Sequence, residues 1–594
     1  MEPQLGTAEP PAFFVPTMQA EPLPSGACIA RSSEPLGEYI PHILSHLFRW
    51  ADQAPDRPFL QERAGGTWRG VTYAETASCV RRIGGALLAK GLGPERPVVV
   101  LSGNSVDHGL LALAAQLVGV PLAPVSPAYS LASADLGTLR HVLRLLQPGL
   151  IYVGTAQPFV RALALDEAAV EIIASDPTGL ARARPFSDLM KQGPEAACNV
   201  VVDPDAAAKI LFTSGSTGTP KGVITTHRMM AANQQQLLQI WPFLEREPPV
   251  LLDWLPWHHV FGGCANFNVA LRYGGTLWID DGRPMPGADL ERTLRNMREV
   301  SPTMSFNVPR GWALLLPYLE ADAALRHVFF KRLRLMFNGG AALPETHRRR
   351  LEALADAYAP RDVPVVSGWG LTETAPGITI GPTRGTPPGA IGTLLAGIVL
   401  KLQPADDKFE ARVKGPNVTP GYWRDGGNNA PTSFDDEGYL LTGDAVRWID
   451  AAEPSAGFVF DGRLAEDFKL STGSRVYAGE IRLRALEVLA PLARDVVVTG
   501  QDRDEIGLLV FLRDDRRNED LTGELRVGLE KLNAAAKGAT SRKIGRALLL
   551  SEPPSLDAGE MTDKGSLNVR AILMRRATSV ERLYDDTCAE VVRT

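Results

Sequence analysis

The sequence predicts an α/β protein followed by a smaller α+β unit, and three observations carry that prediction. Short apolar runs alternate with helical patterns from about residue 36 to residue 380. From about Gly381 the pattern changes to short strands with Gly/Pro turns, as in Gly415-Pro416-Asn417-Val418-Thr419-Pro420-Gly421. A further break falls at Asp461-Gly462-Arg463, beyond which roughly 130 residues carry their own strands and helices, enough for a separate small domain. Strand–helix alternation argues for largely parallel sheets, and ligands tend to sit at the carboxyl ends of such strands.

Taken in order, residues 1–35 are rich in Pro, Glu, Gly and Ser, lack periodicity and read as a flexible N-terminal arm. Residues 36–462 read as one N-terminal domain. Its strands are expected at Pro97–Leu101, Ile210–Phe212, Val250–Leu255, Thr276–Ile279, Leu333–Phe337 and Pro364–Ser367. A helix is expected over Leu343–Tyr358, with Pro344 in its first turn and Leu343, Leu351, Leu354 and Tyr358 on one face. The stretch after Gly381 reads as a small twisted β unit. Residues 463–594 read as the C-terminal domain, with strands at Val496–Thr499 and Leu508–Leu512.

Composition narrows the class without naming the chemistry. Of 594 residues 45% are hydrophobic and 22% charged, and the net charge is −6, as in an ordinary globular protein with no basic surplus for nucleic acid. Five scattered cysteines without CxxC spacing argue against a disulfide framework or a zinc cluster. The N-terminus carries no secretory signal pattern, and the most apolar segment, Gly109–Val125, is too short and interrupted to span a bilayer. A cytoplasmic protein is the expectation.

The strongest local signal is Ile210-Leu211-Phe212-Thr213-Ser214-Gly215-Ser216-Thr217-Gly218-Thr219-Pro220-Lys221-Gly222-Val223. An apolar strand runs into small hydroxyls and glycines and closes on a lysine. Glycines admit a ligand to the backbone, hydroxyls and N–H groups donate hydrogen bonds, and Lys221 supplies charge, which together make a polyphosphate cradle. It is not a Walker A loop, because Pro220 stands where glycine is needed and Gly222 follows the lysine.

With this loop the sequence resembles the adenylate-forming superfamily of acyl-CoA synthetases, adenylation domains and luciferases. Further matches follow in the order of that family: Asn338-Gly339-Gly340-Ala341-Ala342-Leu343-Pro344, Trp369-Gly370-Leu371-Thr372-Glu373-Thr374, Tyr439-Leu440-Leu441-Thr442-Gly443-Asp444 and Asp461-Gly462-Arg463. The resemblance implies a large domain of stacked α/β sheets with a β-barrel-like unit, followed by a small mobile α+β domain. It implies ATP, Mg²⁺ and CoA as ligands, with Thr213, Ser214, Gly215, Ser216, Thr217, Gly218 and Lys221 at the phosphates. Gly340, Ala341, Ala342, Trp369 and Gly370 would line the nucleotide site, Thr372 would touch the α-phosphate, and Glu373 would hold the metal. Asp444 and Arg463 would hold the ribose.

The same resemblance places an acyl gate in Leu255-Pro256-Trp257-His258-His259-Val260-Phe261-Gly262-Gly263, with His259 at the functional position. Near the C-terminus, Met561-Thr562-Asp563-Lys564-Gly565-Ser566 resembles the loop whose lysine bridges the attacking carboxylate and the α-phosphate, here Lys564. Its order departs from the usual Ser-Gly-Lys, since Gly565 follows the lysine. A hinge maps to Glu466, with Asp467 beside it, and Lys469 and Gly473 are candidates for the CoA path. That stretch carries one residue more than the common pattern before Gly473, and Ala465 stands where lysine is frequent.

Within the superfamily, the long runs WPFLEREPPVLLDWLPWHHVFGG, FNVPRGWALLLPYLEADAALRHVFFKRLRLMFNGGAALP, ARVKGPNVTPGYW, FDGRLAEDFKLSTG and MTDKGSLNVRAIL resemble bacterial feruloyl-CoA synthases. The last two hold the departures just named. This implies an aromatic carboxylate substrate: ferulate or a related hydroxycinnamate, activated with ATP and transferred to CoA. A flat ring fits a tunnel floored by Gly339-Gly340-Ala341 and walled by Phe261, Trp369 and Leu371. Asn307 is open to two readings, a hydrogen bond to a phenol or methoxy oxygen or ordinary core packing. A benzoate or medium-chain fatty acid as substrate, and a stand-alone adenylation module, remain alternatives.

Overall fold

The chain is described here by a computed structural model covering residues 13–165, 170–191, 202–214, 220–381, 385–424, 433–513, 516, 520–536, 542–562 and 567–594. Gly215, Ser216, Thr217, Gly218 and Lys564 lie outside the described residues.

Two large sheets and one smaller one form the N-terminal body. A seven-stranded sheet runs in the order Pro220–Thr226, Ala207–Ser214, Leu122–Pro124, Val98–Val100, Leu150–Thr155, Glu171–Asp176, Ala183–Pro185. Its strands are parallel except for the hairpin at one edge, where Pro220–Thr226 returns along Ala207–Ser214. The strands Val98–Val100, Leu150–Val153 and Ile210–Leu211 are buried throughout, as parallel strands covered on both faces require. A four-stranded sheet joins Val250–Asp253, Thr276–Ile279, Pro58–Ala64 and Thr67–Thr72.

The eleven-stranded sheet positions most of the site. Met304–Asn307, Leu335–Asn338 and Val365–Gly370 lie parallel, and the sheet continues through antiparallel Gly377–Ile380 and Ala390–Leu394. It then runs through Phe458–Arg463, Leu440–Trp448, Lys408–Lys414 and Val399–Ala405. The β-barrel-like unit expected after Gly381 is therefore corrected: no closed barrel forms among the described residues. Register shifts at Ala390/Gly392, Asp444/Val446 and Glu410/Arg412 bend the strands. The bent strands nevertheless stay hydrogen-bonded to the parallel part and leave the sheet open.

The flexible arm is also corrected over part of its length. Met18–Pro22 and Cys28–Ser32 pair with each other, and Cys28–Arg31 pairs with Val399–Leu402, extending that sheet. Met18, Ile29 and Ala30 are buried there. Strands of only five residues, one of them ending in Pro22, give little periodic signal, and the ladder offered by Val399–Ala405 supplies the order.

The expected strands are present with shifted ends: Ala207–Ser214 is longer than foreseen, Thr276–Ile279 coincides, and Val365–Gly370 runs three residues further. The helix after the Gly-Gly turn spans Glu345–Tyr358, with Pro344 at its N-cap and not inside its first turn. Beyond Arg463, Ala493–Thr499, Ile506–Leu512, Ile544–Leu550 and Val592–Arg593 form a four-stranded sheet flanked by helices Ala478–Leu489, Thr522–Ala535 and Ala577–Tyr584. Its apolar clusters are separate from those of the larger body. Among the described residues no helix is long and apolar enough to cross a membrane.

Candidate active site

A single cleft of about 3260 Å³ runs between the strand ends of the large body and the C-terminal unit. Into it the fold brings Thr213, Lys221, His259, Phe261, Gly339, Gly340, Ala341, Ala342, Trp369, Gly370, Leu371, Thr372, Glu373, Asp444, Arg463, Glu466 and Asp467.

The strands that flank the Gly/Ser/Thr run pair as a hairpin. Thr213 pairs with Lys221 and Ser214 with Pro220. The returning strand ends at Thr226, whose hydroxyl accepts the amide of Met229 and caps helix His227–Ile240. The Lys221 ammonium lies 5.0 Å from the centre of the Tyr422 ring. The phenol of Tyr422 in turn donates to a Glu373 carboxylate oxygen at 3.0 Å.

Glu373 stands in the tight turn Thr372–Thr374 at the end of Val365–Gly370. Thr374 pins this turn by accepting the Leu371 amide and donating to the Pro376 carbonyl, while the buried Asn417 amide donates to the carbonyls of Thr374 and Gly377. Gly370 is required there, because a Cβ would overlap the Pro376 carbonyl oxygen. Glu373 is thereby held beside the hairpin that bears Lys221, and among the described residues there is no group of three or more metal-binding residues. One carboxylate suits magnesium, which takes most of its ligands from substrate phosphates and water.

Asp444 and Arg463 face each other across antiparallel strands, with Arg463 Nε 3.5 Å from Asp444 Oδ1. The two side chains differ sharply in exposure, 5% for Asp444 and 63% for Arg463. Burial pushes the Asp444 carboxyl up, opposed by Arg463 and by the Trp369 indole N–H, which donates at 3.0 Å. The arrangement offers a buried acceptor beside a solvent-facing cation, as two vicinal hydroxyls near a phosphate need.

The other end of the cleft is apolar. Phe261 lies 5.6 Å from Phe337 and 6.0 Å from Phe306, and Trp241 is 6.0 Å from Phe337, all at edge-to-face angles. Phe306 and Phe337 sit in register on adjacent parallel strands, one residue before the strand ends. Gly339 follows directly, and a Cβ there would come within 3.0 Å of Phe261, so glycine keeps the space open.

Some expectations are not met. Asn307 does not line the cleft: its Oδ1 accepts the Trp254 indole N–H at 3.3 Å and its neighbouring amide at Val308 at 2.9 Å, so the packing reading holds. Lys469 and Gly473 are exposed and outside the cleft wall. Phe468–Lys469 pairs with Arg475–Val476, which turns that hairpin to solvent, and Gly479 and Glu480 line the cleft instead. Asp467, expected at a hinge, is tied down: its carboxylate lies 2.7 Å from Lys408, with side chains 1% and 4% exposed. Burial raises the pKa of Glu466, against the pull of Arg463 and Arg482. Lys564 lies outside the described residues; Met561 and Leu567 form an isolated bridge, and Thr562, Leu567 and Asn568 line the cleft.

Sequence reading missed Trp241, Phe306, Phe337 and Tyr422. The two phenylalanines were signalled only by their place at the ends of parallel strands. Tyr422 closes the run Gly415–Tyr422 and gave no signal of its partner.

Comparison with known proteins agrees with this geometry. Residues 47–423 match the AMP-binding enzyme family and residues 467–587 the AMP-binding enzyme C-terminal domain. A 4-coumarate–CoA ligase of Oryza sativa subsp. japonica is 28% identical over 82% of this chain and 85% of its own. A long-chain-fatty-acid–CoA ligase of Mycobacterium bovis is 23% identical over 92% of this chain and 97% of its own. The crystal structure of an anthranilate CoA ligase with anthranoyl-AMP has a TM-score of 0.72 at 19% identity, covering 93% of this chain and 99% of that one. That of a Burkholderia xenovorans benzoate CoA ligase has a TM-score of 0.69 at 20% identity, covering 89% and 98%. With the family model spanning most of the large body and a second one the C-terminal unit, the chain belongs to the AMP-binding, adenylate-forming enzyme family.

Proposed function

We propose that this enzyme, an ATP-dependent acid–CoA ligase that works through an acyl-adenylate, takes ferulate or a related hydroxycinnamate as its acid. The observation that carries the choice of acid is the wall of Trp241, Phe261, Phe306 and Phe337 beyond the glycine floor, which suits a flat ring. The likeness to a 4-coumarate–CoA ligase supports it, and the likeness to a long-chain-fatty-acid–CoA ligase names its rival.

In the first step a carboxylate oxygen attacks the α-phosphorus of ATP and pyrophosphate leaves. This brings negative groups together, so fixed positive donors matter more than a protein nucleophile. Lys221 and the hairpin turn hold the departing phosphates, Thr372 donates to the α-phosphate, and Lys564 bridges the two reacting anions. Asp444 accepts from the ribose hydroxyls and Arg463 screens the charge. Glu373, oriented by the Tyr422 phenol, would hold magnesium, which supplies charge neutralisation to the leaving pyrophosphate. His259 and Phe261 line the acid's approach. In the second step the CoA thiolate attacks the acyl carbon and AMP leaves, with the C-terminal unit turning about Glu466 between steps.

The test is a panel of acids with ATP and CoA, read as thioester. Ferulate or coumarate should be preferred; preference for octanoate or benzoate would overturn the choice of acid. Adenylate formation without any thioester to free CoA would point to a stand-alone adenylation module.

A further inference from the structure

The segment that carries His259 and Phe261 is held from beneath by buried polar groups that take no part in the steps above. Residues Phe261–Asn266 form a π-helical turn, in which the Phe267 amide reaches back to the Gly262 carbonyl. Such turns shift the hydrogen-bond register by one residue and gather at functional sites. The Gly263 amide donates to the His259 carbonyl at 2.8 Å. The carbonyl of the same Gly263 receives the ammonium of Lys209.

Lys209 lies in strand Ala207–Ser214 and is 3% exposed. Lysine is seldom fully buried unless paired with an acid. Here burial pushes its pKa down, opposed by the Cys264 thiol, and the ammonium in turn helps to hold down the pKa of the buried His108. The Phe267 ring centre lies 5.6 Å from the ammonium. Burying an ammonium is costly, and an uncharged chain of equal length would fill the same space without that cost. What the charge adds is its grip on the Gly263 carbonyl.

The loop has little slack in other directions. The Asn104 amide donates to the Leu255 carbonyl and its oxygen accepts the Trp257 amide, both at 2.9 Å. A Cβ on Gly262 or Gly263 would overlap the backbone carbonyls of Leu255, Pro256 or Trp257, so the π-turn rests directly on that chain. From Lys209 the connection to the cleft wall is two hydrogen bonds long: ammonium to Gly263 carbonyl, then Gly263 amide to His259 carbonyl.

We propose that Lys209 is a positioning residue whose ammonium fixes the π-turn and thereby sets His259 and Phe261 in the acyl wall, governing which acids the cleft accepts. This rests on reading the aromatic end of the cleft as the acyl pocket, but not on ferulate being the acid. The test therefore uses whichever acid the wild-type enzyme turns over best. In Lys209→Met, a chain of similar length without the charge, kcat/KM for that acid should fall roughly tenfold to a hundredfold, through KM, and the order of acids in the panel should change. KM for ATP should hold within about twofold. In a Phe261→Ala background the same substitution should have a much smaller effect, because both act through one wall. Unchanged acid KM and selectivity, a parallel rise in both KM values, or additive effects with Phe261→Ala would each overturn the proposal. If Lys209→Met does not fold, Lys209→Arg is read by the same criteria, since the longer planar guanidinium displaces the Gly263 carbonyl.

Discussion

At the end of the cleft proposed for the nucleotide, Trp369, Thr372, Glu373, Asp444 and Arg463 are polar or carry a polar tip, and neighbouring side chains orient all of them but Thr372. The Trp369 indole donates to Asp444, Tyr422 donates to Glu373, and Arg463 faces Asp444 across one ladder. At the acyl end, Trp241 and Phe261 come from a helix end and a π-helical turn and meet the paired Phe306 and Phe337 of two adjacent strands through ring packing. Hydrogen bonds are directional and fail over a few tenths of an ångström, so the nucleotide end tolerates little change in residue type. Apolar contact is non-directional, so the acyl end can change occupant by changing volume while the chemistry at the other end stays fixed.

If this division holds, a substitution at one end should move the kinetic constants of one substrate and spare the other. The largest effect belongs to Lys564→Ala, which should cut adenylation by ~10²–10³, the scale of losing one preorganised charge. Thioester formation from supplied acyl-AMP should be spared; equal loss in both half-reactions would remove Lys564 from its role. Asp444→Ala should lower kcat/KM for ATP by about tenfold to a hundredfold, the range for hydrogen bonds to a charged acceptor, with KM for the acid unchanged. A matching change in acid KM would mean that the two ends are coupled.

Smaller effects sharpen the comparison from both sides. Gly339→Ala places a methyl against Phe261 and should reduce kcat/KM for ferulate by roughly tenfold, with less loss for smaller acids and none for ATP. Equal loss across the acid panel would mean that the floor does not sort acids. Tyr422→Phe removes the donor to Glu373 and should raise the magnesium concentration needed for half-maximal ATP binding by about tenfold. Titration by calorimetry reads this directly, and an unchanged magnesium requirement would remove Glu373 from the metal. The smallest effect is with pH. Burial holds the Asp444 pKa above the ordinary carboxylate range, so protonation begins at milder acidity and KM for ATP should rise as pH falls toward that raised value. Asp444→Asn should abolish that rise; its persistence would assign the titration elsewhere.

The candidate nucleotide residues could be named from the sequence because they travel in short runs whose local turns bring them together. Thr372 and Glu373 share one tight turn, and Thr213 and Lys221 face each other because one hairpin joins them. The placement of Lys469 and Gly473 was not legible: a short hairpin, Phe468–Lys469 against Arg475–Val476, leaves them exposed beside the cleft lining, and their spacing alone did not reveal it. Asn307 was ambiguous because one buried amide reads alike whether its partner is a ligand or Trp254.

By itself the sequence determined the α/β class, the separate C-terminal unit, and the phosphate, metal and ribose candidates, since each is written in contiguous residues obeying local stereochemistry. Tertiary structure alone decided the rest. It joined Met18–Ser32 to the large sheet, kept that sheet open, brought Phe306 beside Phe337, and set Lys209 beneath the π-turn of the acyl wall. These pairings link residues far apart in sequence through packing and single backbone hydrogen bonds, which leave no periodic or compositional mark on either partner.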